Sequence, residues 1–417
     1  MHDLRDPPDG PLGLRSVLTY GNGRSYGDVC MNSDGVLLDS RSRDKVIAFD
    51  TETGVLSAEA GILLSEVLAV CVPAGWFLPV VPGTRWITVG GAIANDVHGK
   101  NHHVSGTFGR HVLRMELLRS DGSVISCGPD HRREWYAATI GGLGLTGTIL
   151  EAEIQLVPIE SRCIDVRTTR FSHVSEFFEQ SAAADDQYRY TVAWVDCFAR
   201  GDRLGRGRLM VGNHAAACAE GSTRPSRNLD AFIQPPFSVV NNWTGRLFNA
   251  AYYRQAESEQ EVKDYESYFF PLDAISRWNR VYGPKGFYQF QCVVPPEVGQ
   301  EVTRELLLSL AGSREAPSLA VLKQFGDIES PGLLSFPRPG PTLAVDLPNR
   351  GASTSRLLKE LERIVNEAGG AIYPAKDACM SPETFRRAFP RWQELEAMRD
   401  PAYISDFWSR VTGLKAG

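Results

Sequence analysis

"PGTRWITVGGAIANDVHGKNHHVSGTFG", residues 82–109, is the stretch on which the reading of the fold turns. Gly83, Gly90, Gly91 and Gly99 interrupt an otherwise apolar run. Glycine at that density means that backbone passes close to something, either another segment or a ligand. Carried on to His111, the region holds four of the chain's eight histidines. A metal site, a catalytic loop and a backbone shaped around a cofactor are the competing readings. His98 and His102 have the i, i+4 spacing of helical metal ligands. Gly99 and the flanking glycines argue against a helix there, and Asp96 points the other way in an extended segment, so metal ligation is disfavoured. Local hydrogen bonds are the plain role for His103 and His111.

Working outward, "YGNGRSYGD" (20–28) follows the strand-like run RSVLTY and places three glycines in seven residues. Successive N–H groups exposed in such a turn cradle phosphate oxygens. The loop lacks both the GK[ST] of a Walker loop and the G-x-G-x-x-G spacing of a dinucleotide fingerprint, so by itself it reads equally as a structural turn. "ATIGGLGLTG" (138–147) repeats the theme. Such loops, gathered in one domain of roughly 150 residues, favour a large diphosphate cofactor over unrelated turns.

At 417 residues, with 43% hydrophobic and 23% charged content, the chain has the length for more than one domain. The net charge of −6 gives no electrostatic footprint for nucleic acid. The eight cysteines (30, 71, 127, 163, 197, 218, 292 and 379) are scattered singly and read as reduced thiols of a cytoplasmic protein. The start, "MHDLRDPPDG", has neither the basic opening nor the apolar run of an export signal, and no segment has the apolar length of a membrane span.

Up to about residue 160 the chain alternates short β-rich runs with glycine turns and two helix-like stretches, LLSEVLAVCVPAG and EWYAATI. Residues 161–370 mix longer β runs (YRYTVAWVDCF, GFYQFQCVVP, SLAVLKQFG, PTLAVDLP) with amphipathic helices such as EVTRELLLSLAG and STSRLLKELERIVNEAGG. In residues 371–417 a short strand, AIYP, precedes SPETF, where Ser381 is a helix N-cap with Glu383 in the first turn. "FIQPPFSVVNNWTGRLFNAAYYRQA" (232–256) is rich in aromatics and weak in periodicity, either a loop or a surface for something apolar.

The motifs GNGRSYGD, PGTRWITVGGAIANDVHGKNHHVSGTFG and WYAATIGGLGLTG resemble the FAD-binding domain of the vanillyl-alcohol-oxidase type, and within it the decaprenylphosphoryl-β-D-ribose 2′-oxidase family. The likeness continues through AYYRQ, RWNRVYGPKGFYQFQCVVP, LKQFG, LSFPRPG and IYPAKD…SPETFRRAFPR, and so covers nearly the whole chain.

The resemblance implies an α+β fold: a two-part FAD domain, residues 1–160 and 371–417, with an inserted substrate domain (161–370) of antiparallel sheet backed by helices. Gly21, Asn22, Gly23, Arg24, Ser25 and Tyr26 would wrap the diphosphate. Gly83, Thr84, Thr88, Gly90, Gly91, Asn95, Val97 and His98 would line the flavin, with Ile149 and Tyr373 adding contacts. Many relatives carry the flavin covalently on a histidine in the first glycine loop; here that loop has none, so non-covalent FAD is expected.

Flavin oxidation of an alcohol needs a hydride aimed at the cofactor, an acceptor for the hydroxyl proton and positive charge for the reduced cofactor. Lys376 in YPAKDA matches the family's active-site lysine and suits the charge role. His98 and Tyr26 join it as catalytic residues, and Lys323 matches a residue at the family's sugar pocket. Gln289 and Gln291 alternate as Q-F-Q, which puts both amides on one side of a strand, where they suit sugar hydroxyls. Trp194 and Phe269 would be apolar walls, or plain core.

The chain also departs from the family pattern. Where mycobacterial members carry a cysteine, this chain has Ala344, and Thr342 replaces an asparagine. Relatives place a strand and helix before the first glycine loop, of which MHDLRDPPDG supplies little. The leading expectation is oxidation of the 2-hydroxyl of a polyprenyl-phosphate-linked pentose to a ketone, completed as an epimerisation by a separate short-chain reductase. Peripheral membrane contact through residues 232–256 goes with it, at the inner face of the cell membrane. A soluble alditol or aldonolactone oxidase using oxygen and a non-catalytic flavin-binding subunit are the alternatives. The sequence leaves open whether Lys376 or another group takes the hydroxyl proton.

Overall fold

A computed structural model describes residues 2–3, 16–219, 229–230, 235, 238–313, 315, 317 and 319–415. The first half holds two larger sheets beside the short antiparallel pair Trp76–Phe77 and Val157–Pro158. In one, Val17–Tyr20 and His2–Asp3 flank Val36–Asp39 in parallel; residues 4–10 of the opening segment lie outside the described residues. The other is antiparallel and five-stranded, in the order Val46–Asp50, Val55–Glu59, Thr148–Gln155, Val112–Leu118, Val124–Cys127. Helix Leu64–Cys71 forms where LLSEVLAVC was read as helical, burying Leu64, Val67, Leu68 and Cys71 on one face. Helix Arg133–Thr139 matches the second such stretch.

Residues 163–372 build one antiparallel eight-stranded sheet. Its order is Ser258–Asp264, Cys163–Phe171, Gly207–His214, Tyr190–Val195, Ala320–Phe325, Gly340–Pro348, Phe287–Val293, Ala371–Ile372. Helices Val174–Asp185, Gly299–Gly312 and Ala352–Glu367 pack against this sheet.

The period of two in a strand divides the central strands between two tasks. In Gly340–Pro348, Leu343, Val345 and Leu347 enter a hydrophobic core shared with Leu306, Leu310, Leu358 and Leu361 of the helices. Thr342, Ala344 and Asp346 take the other face.

The C-terminal helices Pro382–Ala388 and Asp406–Thr412 add Phe385, Phe407 and Trp408 to that same core, together with Leu18 and Val29 from the start of the chain. Ser381 caps the first of these helices, its hydroxyl accepting from Thr384 N. Arg410 then ties distant segments together, donating to Asp28 at 2.7 and 2.8 Å and to Asp377 at 2.8 Å.

Two sequence expectations change. Cys163 and Cys218 form a disulfide, leaving Cys30, Cys71, Cys127, Cys197, Cys292 and Cys379 free. Singly scattered cysteines 55 residues apart meet because the first opens a strand and the second follows its neighbour in the sheet. Disulfides persist where thiols are oxidised, so the cytoplasmic reading loses the support it drew from eight reduced thiols. Within 232–256, residues 232–234 and 236–237 lie outside the described residues, while 242–253 form a helix rather than a loop. Asn241 caps it by accepting from Trp243 N and Thr244 N, a start signal that aromatic and proline content obscured. Among the described residues no helix is long and apolar enough to cross a membrane.

Candidate active site

The first glycine loop is held between two other segments. Gly21 lies so close to Thr88 that a Cβ there would come within 2.6 Å of the threonine Oγ1, and Gly27, at φ +74°, runs against the Asp377 carbonyl; only glycine fits either position. Asn22 Nδ2 donates to Trp86 O at 2.7 Å, and Tyr26 N donates to Ala375 O at 2.8 Å. Tyr26 is thereby brought beside Lys376, whose Nζ sits 4.4 Å from the phenol ring centre. Among the described residues the amides of residues 21–25 donate to no backbone carbonyl, which leaves consecutive donors for a phosphate.

Thr88 caps the helix Val89–Ala94, its Oγ1 accepting from Gly91 N at 3.0 Å. The glycine cluster 138–147 pins that helix: Gly141 N and Leu143 N donate to the carbonyls of Ile93 and Ala94. Asn95 closes it, with a buried Oδ1 that has no partner among the described residues. Asp96 follows at φ +39°, accepting from Gly109 N at 2.9 Å and Ser335 Oγ at 2.5 Å. Burial pushes its carboxyl up to about 6 against those bonds. The turn delivers buried His98 to the polar face of the eight-stranded sheet. His102 begins a separate short helix, His102–Ser105, so the two histidines share no helical face.

His98 is bracketed by that sheet. Gln291 Nε2 lies 3.0 Å from its Nε2 and 3.1 Å from Thr342 Oγ1. Lys323 Nζ lies 3.2 Å from its Nδ1 and 3.3 Å from Gly99 O. Burial, then the charges of Lys323, His102 and Lys376, hold the imidazole well below its ordinary pKa, so it is neutral. Burial and Lys376 bring Lys323 down to about 7. Tyr373 donates to Asn95 O at 2.9 Å and packs near His98, its ring stacked on Phe336 at 4.6 Å.

Further along the same face, Gln289 Nε2 donates to Asp346 Oδ1 at 2.5 Å and its amide also meets the Tyr26 hydroxyl. Asp346 is buried and its carboxyl is pushed up to about 6 by burial, opposed by Gln289 and Lys376. Lys376 falls to about 8 through burial, with Asp346 acting the other way.

The structure thus brings Tyr26, His98, Gln289, Gln291, Lys323 and Lys376 together. Gly83 faces open space, and Val97 and Ile149 lie buried in the first half's core. Thr84 is occupied, donating to Asp273 Oδ1 at 2.8 Å. Trp194 lies in the sheet with Tyr252 against it at 4.8 Å. Phe269 does not join the group: it is 1% exposed among Phe77, Tyr190 and Tyr268, beside Lys100. His103 and His111 bond the carbonyls of Tyr188 and Ser105.

The sequence reading missed Asp346 and Lys100. Lys100 Nζ sits 4.0 Å from the Tyr268 ring centre, with burial bringing its pKa to about 7. Period two running on from Thr342 and Ala344 is the signal that reaches Asp346.

Residues 14–128 match the model of a family described as an FAD binding domain. Decaprenylphosphoryl-β-D-ribose oxidase of Mycolicibacterium smegmatis is 34% identical across 96% of this chain and 90% of its own length. The chain belongs to the decaprenylphosphoryl-β-D-ribose oxidase family. It is an FAD-dependent oxidoreductase acting on CH–OH groups. A Streptomyces coelicolor relative named only as an uncharacterised protein in the mprA 5′ region is 33% identical over 84% of this chain and all of its own. L-gulonolactone oxidase of Mus musculus is 29% identical over 34% of this chain and 32% of its own. The residues fit FAD: among the described residues the amides at 21–25 have no backbone partner and would suit the diphosphate, and Asn95 Oδ1 would offer an acceptor beside the second glycine loop.

Proposed function

We propose that this enzyme oxidises the 2-hydroxyl of a polyprenyl-phosphate-linked, ribose-like pentose to a ketone. When bound, FAD supplies the two-electron acceptor. The observation that carries the reading is the polar sheet face, where Gln289, Gln291, Lys323 and Asp346 converge opposite Tyr26 and Lys376. Amides, amines and a carboxylate on one buried surface suit a sugar's hydroxyls, and the Mycolicibacterium relative is named for such a substrate. Lys376 supplies positive charge, Lys323 and Gln291 hold His98 in place, and the first glycine loop holds FAD without a covalent bond, since residues 20–28 offer no histidine or cysteine. Residues 1–160 and 371–417 would form the cofactor domain and 161–370 the substrate domain. A separate short-chain reductase would complete the epimerisation.

The helix Asn242–Tyr253 supports a lipid contact in the same reading. It presents Trp243, Leu247 and Phe248 to solvent at 87%, 74% and 55% exposure, with Arg246 among them. Its other face is fixed by Asn249, bonded to Asp196, and by Tyr252 against Trp194. Aromatic and aliphatic side chains flanked by arginine suit a headgroup boundary, and the contact with Trp194 connects that boundary to the polar sheet.

Anaerobic mixing of FAD-loaded protein with a polyprenylphosphoryl ribose analogue, followed by flavin absorbance, tests the function. Bleaching by the phospholipid sugar with little by free alditols is the expected result. Bleaching by free alditols alone would overturn it in favour of a soluble alditol oxidase.

A further inference from the structure

We propose that Asp346 takes the proton of the hydroxyl being oxidised, with its free oxygen Oδ2 as the acceptor. The inference rests on the pentose-oxidising reading above and names a residue that the glycine and lysine motifs do not point to.

Asp346 is 1% exposed, on the polar face of a strand in the middle of the eight-stranded sheet. A carboxylate in such a place is retained only with partners for its lone pairs. Oδ1 has one in Gln289; Oδ2 has none among the described residues. The Gln289 amide group meets both Asp346 and the Tyr26 hydroxyl. Burial, then the Asp346 charge, hold the phenol in its protonated form, which leaves the phenolic hydrogen free to donate. A free acceptor and a free donor are therefore near one amide on the same polar face, the two roles that an alcohol, which donates once and accepts, requires.

The neighbouring groups are committed elsewhere. Both ring nitrogens of His98 are engaged, by Gln291 and Lys323. Lys323 is shared between His98 and Gly99 O. Lys376, as an ammonium, has three donors and no lone pair. Asp346 is left as the acceptor.

In the step, the hydroxyl O–H bond breaks and the proton passes to Oδ2. The electron pair left on oxygen forms the carbonyl π bond as the carbon's hydrogen departs with the C–H pair, and the two electrons go to FAD, the oxidant of the proposed reaction. Atoms and charge balance with the substrate oxidised to a ketone and the cofactor reduced.

The test compares FAD-loaded wild type, Asp346→Asn and Asp346→Gly. Asparagine keeps an oxygen for Gln289 and removes the basic one. Expected for Asp346→Asn are unchanged FAD content, an unchanged Kd for the unreactive 2-deoxy analogue, and flavin bleaching by the pentose substrate slowed about 10²- to 10⁴-fold. Wild-type bleaching should fall on the acid side with a midpoint near 6, a limb absent from Asp346→Asn. The charged or titrating groups facing Asp346 are Lys376, Tyr26 and Tyr282, and all three stay protonated through that range. Formate, a small external base, should accelerate Asp346→Gly and leave Asp346→Asn unmoved. Asp346→Asn bleaching at the wild-type rate, or keeping the acid limb, overturns the proposal while the substrate reading stands. Wild type left oxidised by the pentose overturns both. If Asp346→Gly does not fold, the rate and pH profile of Asp346→Asn decide alone.

Discussion

Lys323 Nζ stands 3.2 Å from His98 Nδ1, and the two residues are 225 positions apart in sequence. The contact, with that of Gln291 Nε2 at 3.0 Å from His98 Nε2, joins the second glycine loop to the polar face of the eight-stranded sheet. Lys323→Met leaves the buried ring without that partner. Bleaching by the sugar substrate should slow by about 10- to 100-fold, the effect of an unsatisfied buried polar group. Without the Lys323 charge, the pKa of His98 should rise, which NMR titration of the imidazole reads directly.

Lys376→Met removes the positive charge beside Tyr26. FAD content should be unchanged and the bleaching rate should fall by about 10²- to 10³-fold, as for loss of a preorganised electrostatic partner. Lys376→Arg should recover part of that rate. Rapid mixing under anaerobic conditions makes the measurement.

Asp96 carries a carboxyl raised from 3.8 to about 6 by burial. Because the folded state binds this proton more tightly than the unfolded chain, its contribution is fully present below about pH 4 and is lost as pH rises through 6. Asp96→Asn has no such term. Wild type should therefore gain melting temperature relative to Asp96→Asn as pH is lowered from 7.5 to about 5, measured by thermal denaturation of the FAD-loaded proteins.

The Cys163–Cys218 bridge closes 55 residues. Cys163→Ser/Cys218→Ser should cost about 2–4 kcal/mol, and a reductant should lower the melting temperature of wild type but not of the double variant. Equal sensitivity of both would show that the bridge contributes nothing.

Replacing Trp243, Leu247 and Phe248 with serine removes the exposed apolar stripe and leaves Asn249 and Tyr252 to dock the helix. Turnover of a long-chain substrate should fall and that of a short-chain analogue should not. Co-sedimentation with anionic vesicles should weaken in parallel.

Local patterns were legible where one segment carries its own signal. The glycine loops, the Q-F-Q strand and the Ser381 cap each state their geometry within a few residues. Strand Ser258–Asp264 was not legible, because it lies on the sheet's edge and its sequence, SEQEVKD, is mostly polar and exposed. Strand Val112–Leu118 was hidden by charges that meet across the sheet, Arg114 pairing with Glu116, Glu151 and Glu153. Asp346 escaped notice for another reason. In PTLAVDLP the period of two places it on the face of Thr342 and Ala344, while its burial and its pairing with Gln289 come only from the folded sheet.

The strand Gly340–Pro348 gives alternate positions to different tasks: Leu343, Val345 and Leu347 belong to the core, while Thr342, Ala344 and Asp346 face the polar groups. Residues that face the core and residues that face the polar groups are therefore interleaved along one strand. Exchanging Ala344 for a larger side chain is expected to alter the polar face while Leu343, Val345 and Leu347 stay in the core, so change on that face need not draw on the packing of the interior.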